Sequence, residues 1–224
     1  MAVTILMGKA GNGKSSQCFN ELQAWEAAGG KAMLLVPDQA TYGAERRLAE
    51  HAKGRGFVGT QVVGFSRLAY NVFQEQGLSH ASLSELARKI ILQRLLHKGE
   101  KDFSLLQTAA RQPNFADTAG RFLGECRSFC VSSDTLRKAA DAVSSTTLSH
   151  KLQDMALLYD MYQAFLSDHF GSADDTMTLL AKAVDKDPFL QGARVWVDGF
   201  QWFTPQQMNI LQQIEAVTDH LTIT

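Results

Sequence analysis

Cysteine is scarce in this chain: Cys18, Cys126 and Cys130 are the three present in 224 residues. So few thiols exclude a disulfide framework, and their spacing lacks the paired arrangement of a structural zinc site, so a reduced, cytoplasmic setting is expected. Long apolar runs are missing as well. With no stretch of about 18 apolar residues, no transmembrane helix is expected. The first residues run straight into a glycine loop without a basic segment, a long apolar core or a small-residue cleavage site, so no signal peptide is expected. Charge of one sign is also lacking. A formal net charge of -1 and a pI of about 6.6 leave no basic excess to drive autonomous nucleic-acid binding by counterion release. Any DNA contact must then come from a local patch or from other parts of an assembly. What is present is ordinary for a folded soluble protein: 45% hydrophobic and 20% charged residues, without low-complexity stretches, in a length suited to one or two domains.

The order of patterns predicts an α/β chain. Val3 to Met7 is a short apolar run, expected as a strand buried on both faces. A helix should follow from Lys14 to Ala28, capped by Gly29-Gly30. Lys31 to Val36 reads as a second strand stopped by Pro37, Thr41 to Lys53 as a helix, and Thr60 to Gly64 as a third strand. Alternating strands and helices argue for a parallel sheet flanked by helices. From Leu68 to Lys186 strand-like runs vanish. Leu83, Leu86, Ala87, Ile90, Ile91 and Leu95 form one helical stripe; Leu152, Met155, Leu158, Tyr159, Tyr162 and Phe165 form another. This middle region is expected to be a large all-helical insertion. Strand signals return at Arg194–Val197 and at His220–Thr224, on either side of a helix opened by Thr204, Pro205 and Gln207 as a capping box. The abrupt stop after the last strand leads us to expect a longer protein.

Chemistry is concentrated at Gly8-Lys9-Ala10-Gly11-Asn12-Gly13-Lys14-Ser15, a complete G-x-x-x-x-G-K-[ST] motif between a predicted strand and a predicted helix. Glycines let successive amides turn toward phosphate oxygens, the helix adds its positive end, Lys14 neutralises phosphate charge, and Ser15 is a Mg²⁺ ligand. The expected cofactors are therefore ATP and Mg²⁺. The plain alternative is a glycine-rich turn that holds no ligand. Val195-Trp196-Val197-Asp198 is an apolar strand ending in an acid, which supplies the second metal ligand of a P-loop protein, although strand-end aspartates elsewhere serve as turn residues. The next residue is Gly199, which has no side chain to act as a base, so hydrolysis is expected to be weak.

These motifs resemble the first motor domain of the UvrD-like superfamily 1 DNA helicases. The resemblance rests on the P-loop unit, on Leu35-Val36-Pro37-Asp38-Gln39, on Phe65-Ser66-Arg67-Leu68-Ala69, and on Asp198-Gly199-Phe200-Gln201 where the helicases carry Asp-Glu-Phe-Gln. Within that group the chain is most similar to the AddB family, the B subunits of bacterial ATP-dependent helicase/deoxyribonucleases. The resemblance implies a RecA-like P-loop NTPase fold, with an incomplete, degenerate motor over residues 1–75 and 190–224 and a helical insertion over 76–189. It also implies a heterodimer in which the companion helicase/nuclease, the A subunit, joins this one to process double-strand DNA ends for recombinational repair. The degenerate motor would serve recognition of a hotspot sequence in the exiting strand. A nuclease domain with an iron–sulfur cluster would belong to a later part of such a protein, and Cys126 and Cys130 lie where cluster ligands do not belong. Gln201 is implied at the nucleotide, and Ser66 and Arg67 at single-stranded DNA.

Read from residues alone, Ser66 is a helix cap and Arg67 a solvated first-turn residue. Trp196, Phe200, Trp202 and Phe203 are expected to pack in the core rather than stack on bases. Arg88, Lys89, Arg94, Lys98 and Lys101 form a modest basic face on one insertion helix, ordinarily a solvated one. Two other functions are compatible with the motifs: a P-loop kinase acting on a small molecule, and a nucleotide-binding scaffold without catalysis.

Overall fold

The computed structural model of the chain describes residues 2–51, 59–78, 83–112, 114–170 and 175–224. Five strands, β1 (Ala2–Ile5), β2 (Ala32–Leu35), β3 (Thr60–Val63), β4 (Arg194–Val197) and β5 (His220–Ile223), form one sheet in the order β1-β5-β4-β2-β3. Every pair is parallel. Ten α-helices lie among the described residues: α1 (Lys14–Ala27), α2 (Thr41–His51), α3 (Phe65–Glu75), α4 (Glu85–Lys98), α5 (Gln107–Ala110), α6 (Phe115–Ser128), α7 (Ser133–Ala142), α8 (Thr146–Phe170), α9 (Thr176–Ala183) and α10 (Pro205–Val217). None of them is long and apolar enough to cross a membrane. The last residues of the expected second helix, Ala52 and Lys53, lie outside the described residues.

The chain divides into two units. The first holds the described residues of Met1–His80, Thr176–Phe203 and Gln207–Thr224; the second those of Ala81–Asp175 and Thr204–Gln206.

In the first unit the period of two along each strand splits the core between the faces of the sheet. Ala32, Leu34, Val36, Val62 and Trp196 pack with Cys18, Phe19 and Leu22 of α1 and with Ala44 and Leu48 of α2. On the opposite face Met33, Leu35, Val63, Val195, Val197 and Leu221 meet residues of α3, α9 and α10. Strand β2, between β4 and β3, is buried along its whole length, which is why its sequence is an unbroken apolar run. Each such buried side chain contributes roughly 1.5–3 kcal/mol.

Strand β1 departs from expectation. It lies at the sheet edge, paired with β5 alone, and Val3 and Ile5 remain 47% and 64% exposed. Apolarity alone does not distinguish an edge strand from a central one, so the expectation of burial on both faces fails here. A second difference concerns α9, assigned from sequence to the helical insertion. It belongs to the sheet unit, where Leu180 and Ala183 share a core with Leu68, Val72 and Phe73 of α3.

The second unit is helical throughout its described residues, with one core of its own. The α8 stripe is as expected: Met155, Leu158, Tyr159 and Tyr162 are buried. On α4 the stripe is rotated. Leu92, Leu95 and Leu96 face inward, whereas Leu86 and Ile90 are 67% and 57% exposed. A buried carboxylate ties this unit together: Asp154 of α8 accepts from the amides of Ser104, Leu105 and Leu106 at 2.8, 2.7 and 2.9 Å. Three charge-assisted bonds satisfy amides that precede α5 and lack helical partners.

Candidate nucleotide-binding site

The glycine loop follows β1 and opens α1, so it stands at the carboxyl end of the sheet, where open α/β folds place their ligands. Gly11 and Gly13 adopt φ of 85° and 79°, and a Cβ at either would meet no atom within 4 Å. Backbone conformation, not space, therefore calls for glycine there. Gly8, Lys9, Ala10, Gly11, Asn12 and Gly13 are exposed, while Lys14 and Ser15 are half-buried. The Asn12 amide donates to the Lys9 carbonyl at 3.3 Å. The amides of Lys9, Ala10, Gly11 and Gly13 donate no backbone hydrogen bond among the described residues.

Helix α1 begins unlike the other well-capped helices. Ser84 and Ser132 accept from Ala87 and Thr135 to cap α4 and α7, and each of those helices has an acid in its first turn. Helix α1 starts from Gly13 with no side-chain cap and no first-turn acid. Its orphan amides and positive dipole end are thus left for an anion. Lys14 Nζ donates to the Gly8 and Lys9 carbonyls at 2.9 and 3.2 Å, which holds its charge over the loop.

The distant acid arrives beside this loop. Asp198 follows β4, its amide donating to the Leu35 carbonyl at 3.0 Å, and its side chain is buried. Ser15 Oγ donates to Asp198 Oδ1 at 2.9 Å, across 183 residues of sequence. Thr224 Oγ1 donates to the same oxygen at 2.7 Å, a neighbour the sequence did not single out. Asp198 Oδ2 accepts no hydrogen bond among the described residues. A hydroxyl and a carboxylate with a spare oxygen form a donor set suited to a hard cation such as Mg²⁺. Among the described residues no group of three or more His, Cys, Asp or Glu side chains gathers to hold a metal by itself. One turn along α1, burial pushes the Cys18 thiol up to about 12, with the carboxylates of Asp198 and Glu21 adding to the effect.

Gly199 has φ of 83°, a left-handed conformation that glutamate seldom adopts. The absence of an acid at this position is therefore built into the backbone as well as the sequence. Gln201 is exposed and makes no hydrogen bond among the described residues.

Ser66 and Arg67 are occupied by other partners. Ser66 donates its amide and its hydroxyl to Asp38 at 3.3 and 2.8 Å, and Arg67 pairs with Glu45 at 3.0 Å. Asp38, from the turn after β2, thus caps α3, whose own N-cap is Gly64 without a side-chain bond. A Cβ on Gly64 would lie 1.9 Å from Asp38 Oδ1, so only glycine admits this cap. Sequence reasoning gave capping to Ser66 and missed Asp38, because 28 residues separate the acid from the amide it serves.

The aromatic cluster splits. Trp196 packs on the α1 face and donates to Glu21 at 3.2 Å. Phe200 meets Phe65 and Phe203 on the other face, at centroid distances of 5.7 and 5.0 Å. Trp202 is 62% exposed, so the expectation that it packs in the core is wrong. It sits in the irregular segment between β4 and α10, where no strand alternation directs a side chain inward.

The family model described as "ADDB, N-terminal" matches residues 5–224. The chain belongs to the AddB N-terminal family. Relatives described as B subunits of ATP-dependent helicase/deoxyribonucleases include one from Pelotomaculum thermopropionicum, 34% identical over 232 residues. Others come from Symbiobacterium thermophilum, 36% identical over 215 residues, and Bacillus subtilis, 32% identical over 232 residues. These alignments cover 100%, 92% and 99% of the chain and 20%, 18% and 20% of the relatives. The chain therefore spans about a fifth of the length of the curated relatives it matches.

Proposed function

We propose that this chain is the nucleotide-binding N-terminal region of a helicase/deoxyribonuclease B subunit. In this reading the whole protein pairs with a companion helicase/nuclease and processes double-strand DNA ends for recombinational repair, its motor degenerate and used more for DNA recognition than for unwinding. The ligand is ATP with Mg²⁺, in a P-loop of RecA-like type. The observation that carries the reading is the hydrogen bond from Ser15 to Asp198, which joins two motifs far apart in sequence at one end of a parallel sheet. The uncapped N-terminus of α1 and the free loop amides support it, since both favour an anion.

Within such a site the loop amides and Lys14 hold the phosphates, exchanging the Gly8 and Lys9 carbonyls for phosphate oxygens. Ser15 and Asp198 hold the cation, which supplies charge neutralisation of the phosphates. Ser66 and Arg67 are the residues proposed at single-stranded DNA. The Arg67–Glu45 pair is exposed, and such pairs are worth about 0–1 kcal/mol, so a phosphate can displace Glu45. Gln201, exposed three residues after Asp198, is proposed to report nucleotide state. An iron–sulfur cluster and the nuclease site belong to parts of the protein beyond these residues.

Binding of a fluorescent ATP analogue to the chain and to Lys14→Ala tests this directly. Loss of a charged hydrogen bond to phosphate predicts roughly tenfold to hundredfold weaker binding in the variant. Equal affinity in both proteins would remove the nucleotide site.

A further inference from the structure

The second unit carries a cavity of about 290 Å³ between α4 and α8, lined by Arg94, Leu95, Lys98, Met161, Ala164, Phe165, Asp168 and His169. Its chemistry is divided. Met161, Ala164, Leu95 and the Phe165 ring make an apolar floor, and Arg94 and Lys98, one helical turn apart on α4, stand at its rim. Both cations are exposed. Neither has an ion-pair partner among the described residues, whereas Lys89 on the same helix is held by Asp117 at 2.6 Å. The basic face of α4 is therefore not uniform: Lys89 is neutralised within the unit, and Arg94 and Lys98 are not.

A flat aromatic surface completes the site. The rings of Phe165 and His169 are stacked, with centroids 4.0 Å apart and planes 15° from parallel. His169 Nδ1 lies 2.9 Å from the Phe165 carbonyl; a carbonyl only accepts, so Nδ1 carries the proton. That bond fixes the imidazole in the stack. Asp168 is the one carboxylate of the lining, exposed and likewise without an ion-pair partner among the described residues.

We infer that this cavity is a contact site for single-stranded nucleic acid, taking one base against the Phe165 and Met161 floor and adjacent phosphates on Arg94 and Lys98. The combination favours it over an acidic protein segment: carboxylates would pair with the cations but leave the apolar floor and stacked rings unused. Cations beside an aromatic platform are the arrangement by which sequence-tolerant single-strand binders work. Choosing nucleic acid as the occupant agrees with the DNA-end reading above and rests on it. The site itself lies in the other unit and uses none of the glycine-loop residues.

The test is fluorescence anisotropy of a labelled oligothymidylate with the chain, with Arg94→Ala/Lys98→Ala and with Asp168→Asn, ATP binding being measured in parallel. All substitutions fall on exposed side chains. The double variant is expected to bind roughly tenfold more weakly, and its slope of log affinity against log salt should be shallower by about 1.4, two phosphate contacts at about 0.7 each. Asp168→Asn is expected to bind more tightly, because it removes the one negative charge facing the phosphates. An oligonucleotide of abasic sites should bind the wild-type chain about tenfold more weakly than oligothymidylate. Unchanged affinity in the double variant, weaker binding by Asp168→Asn, or equal binding of the abasic strand overturns the inference. So does a preference for an acidic peptide over the oligonucleotide. Intact ATP binding alongside any of these results leaves the nucleotide-site reading standing, and loss of ATP binding with oligonucleotide binding intact does the reverse.

Discussion

Gly199 combines a sequence departure with a backbone reason for it. Its φ of 83° means that a side chain there must either accept a strained left-handed backbone, at a cost of about 1–2 kcal/mol, or pull the segment after Asp198 into a new path. Restoring the acid that helicase motors carry is therefore not a matter of one codon. Gly199→Glu is expected to lower stability, and the variant and the wild-type chain are both expected to show negligible ATP turnover, with or without single-stranded DNA. Robust DNA-stimulated turnover by the variant would show that the backbone accommodates a base at this position. Cys130, with φ of 55°, carries a similar strain at the end of α6 without the excuse of being glycine. There the fold holds it: Val131 donates to the Cys126 carbonyl at 2.7 Å and closes the helix end.

At the scale of elements, a single carboxylate organises the entry to α5. Asp154 sits in the interior of α8 and gathers three consecutive amides. Replacing it by alanine leaves those amides buried or half-buried without partners, so Asp154→Ala is expected to destabilise the chain by about 3 kcal/mol in urea denaturation. A loss below about 1 kcal/mol would mean that water takes over the role. Helix α8 also shows what a sequence makes legible. Its stripe of large side chains runs from Leu152 to Leu166 within a helix of 25 residues, long enough to fix which side faces inward. On α4 apolar residues occur nearly all round, so periodicity alone placed Leu86 and Ile90 inward and missed Leu96, which tertiary packing buries instead. Asp154 itself was invisible, because its partners lie about 50 residues away in sequence.

The whole molecule joins local signals that the sequence displays with long-range ones that it does not. The glycine loop and the strand ending in Asp198 were legible, since each is a contiguous pattern with a definite chemical use. Their meeting depends on the strand order β1-β5-β4, and no pattern specified that the last strand would lie between the other two. That order also explains the exposure of β1 and brings Thr224, next after β5, onto Asp198. The exposure of Trp202 was equally hidden, because an aromatic residue outside regular structure carries no periodicity to orient it.

One site for ATP with Mg²⁺ built from the glycine loop and Asp198, as proposed, requires the response of nucleotide binding to the cation to depend on that carboxylate. Calorimetric titration of ATP into the chain and into Asp198→Asn, each with and without Mg²⁺, tests it most directly. Mg²⁺ is expected to strengthen binding by about tenfold in the wild-type chain and to have little effect in the variant. An equal response to Mg²⁺ in both proteins, or no heat from the wild-type chain, would contradict it.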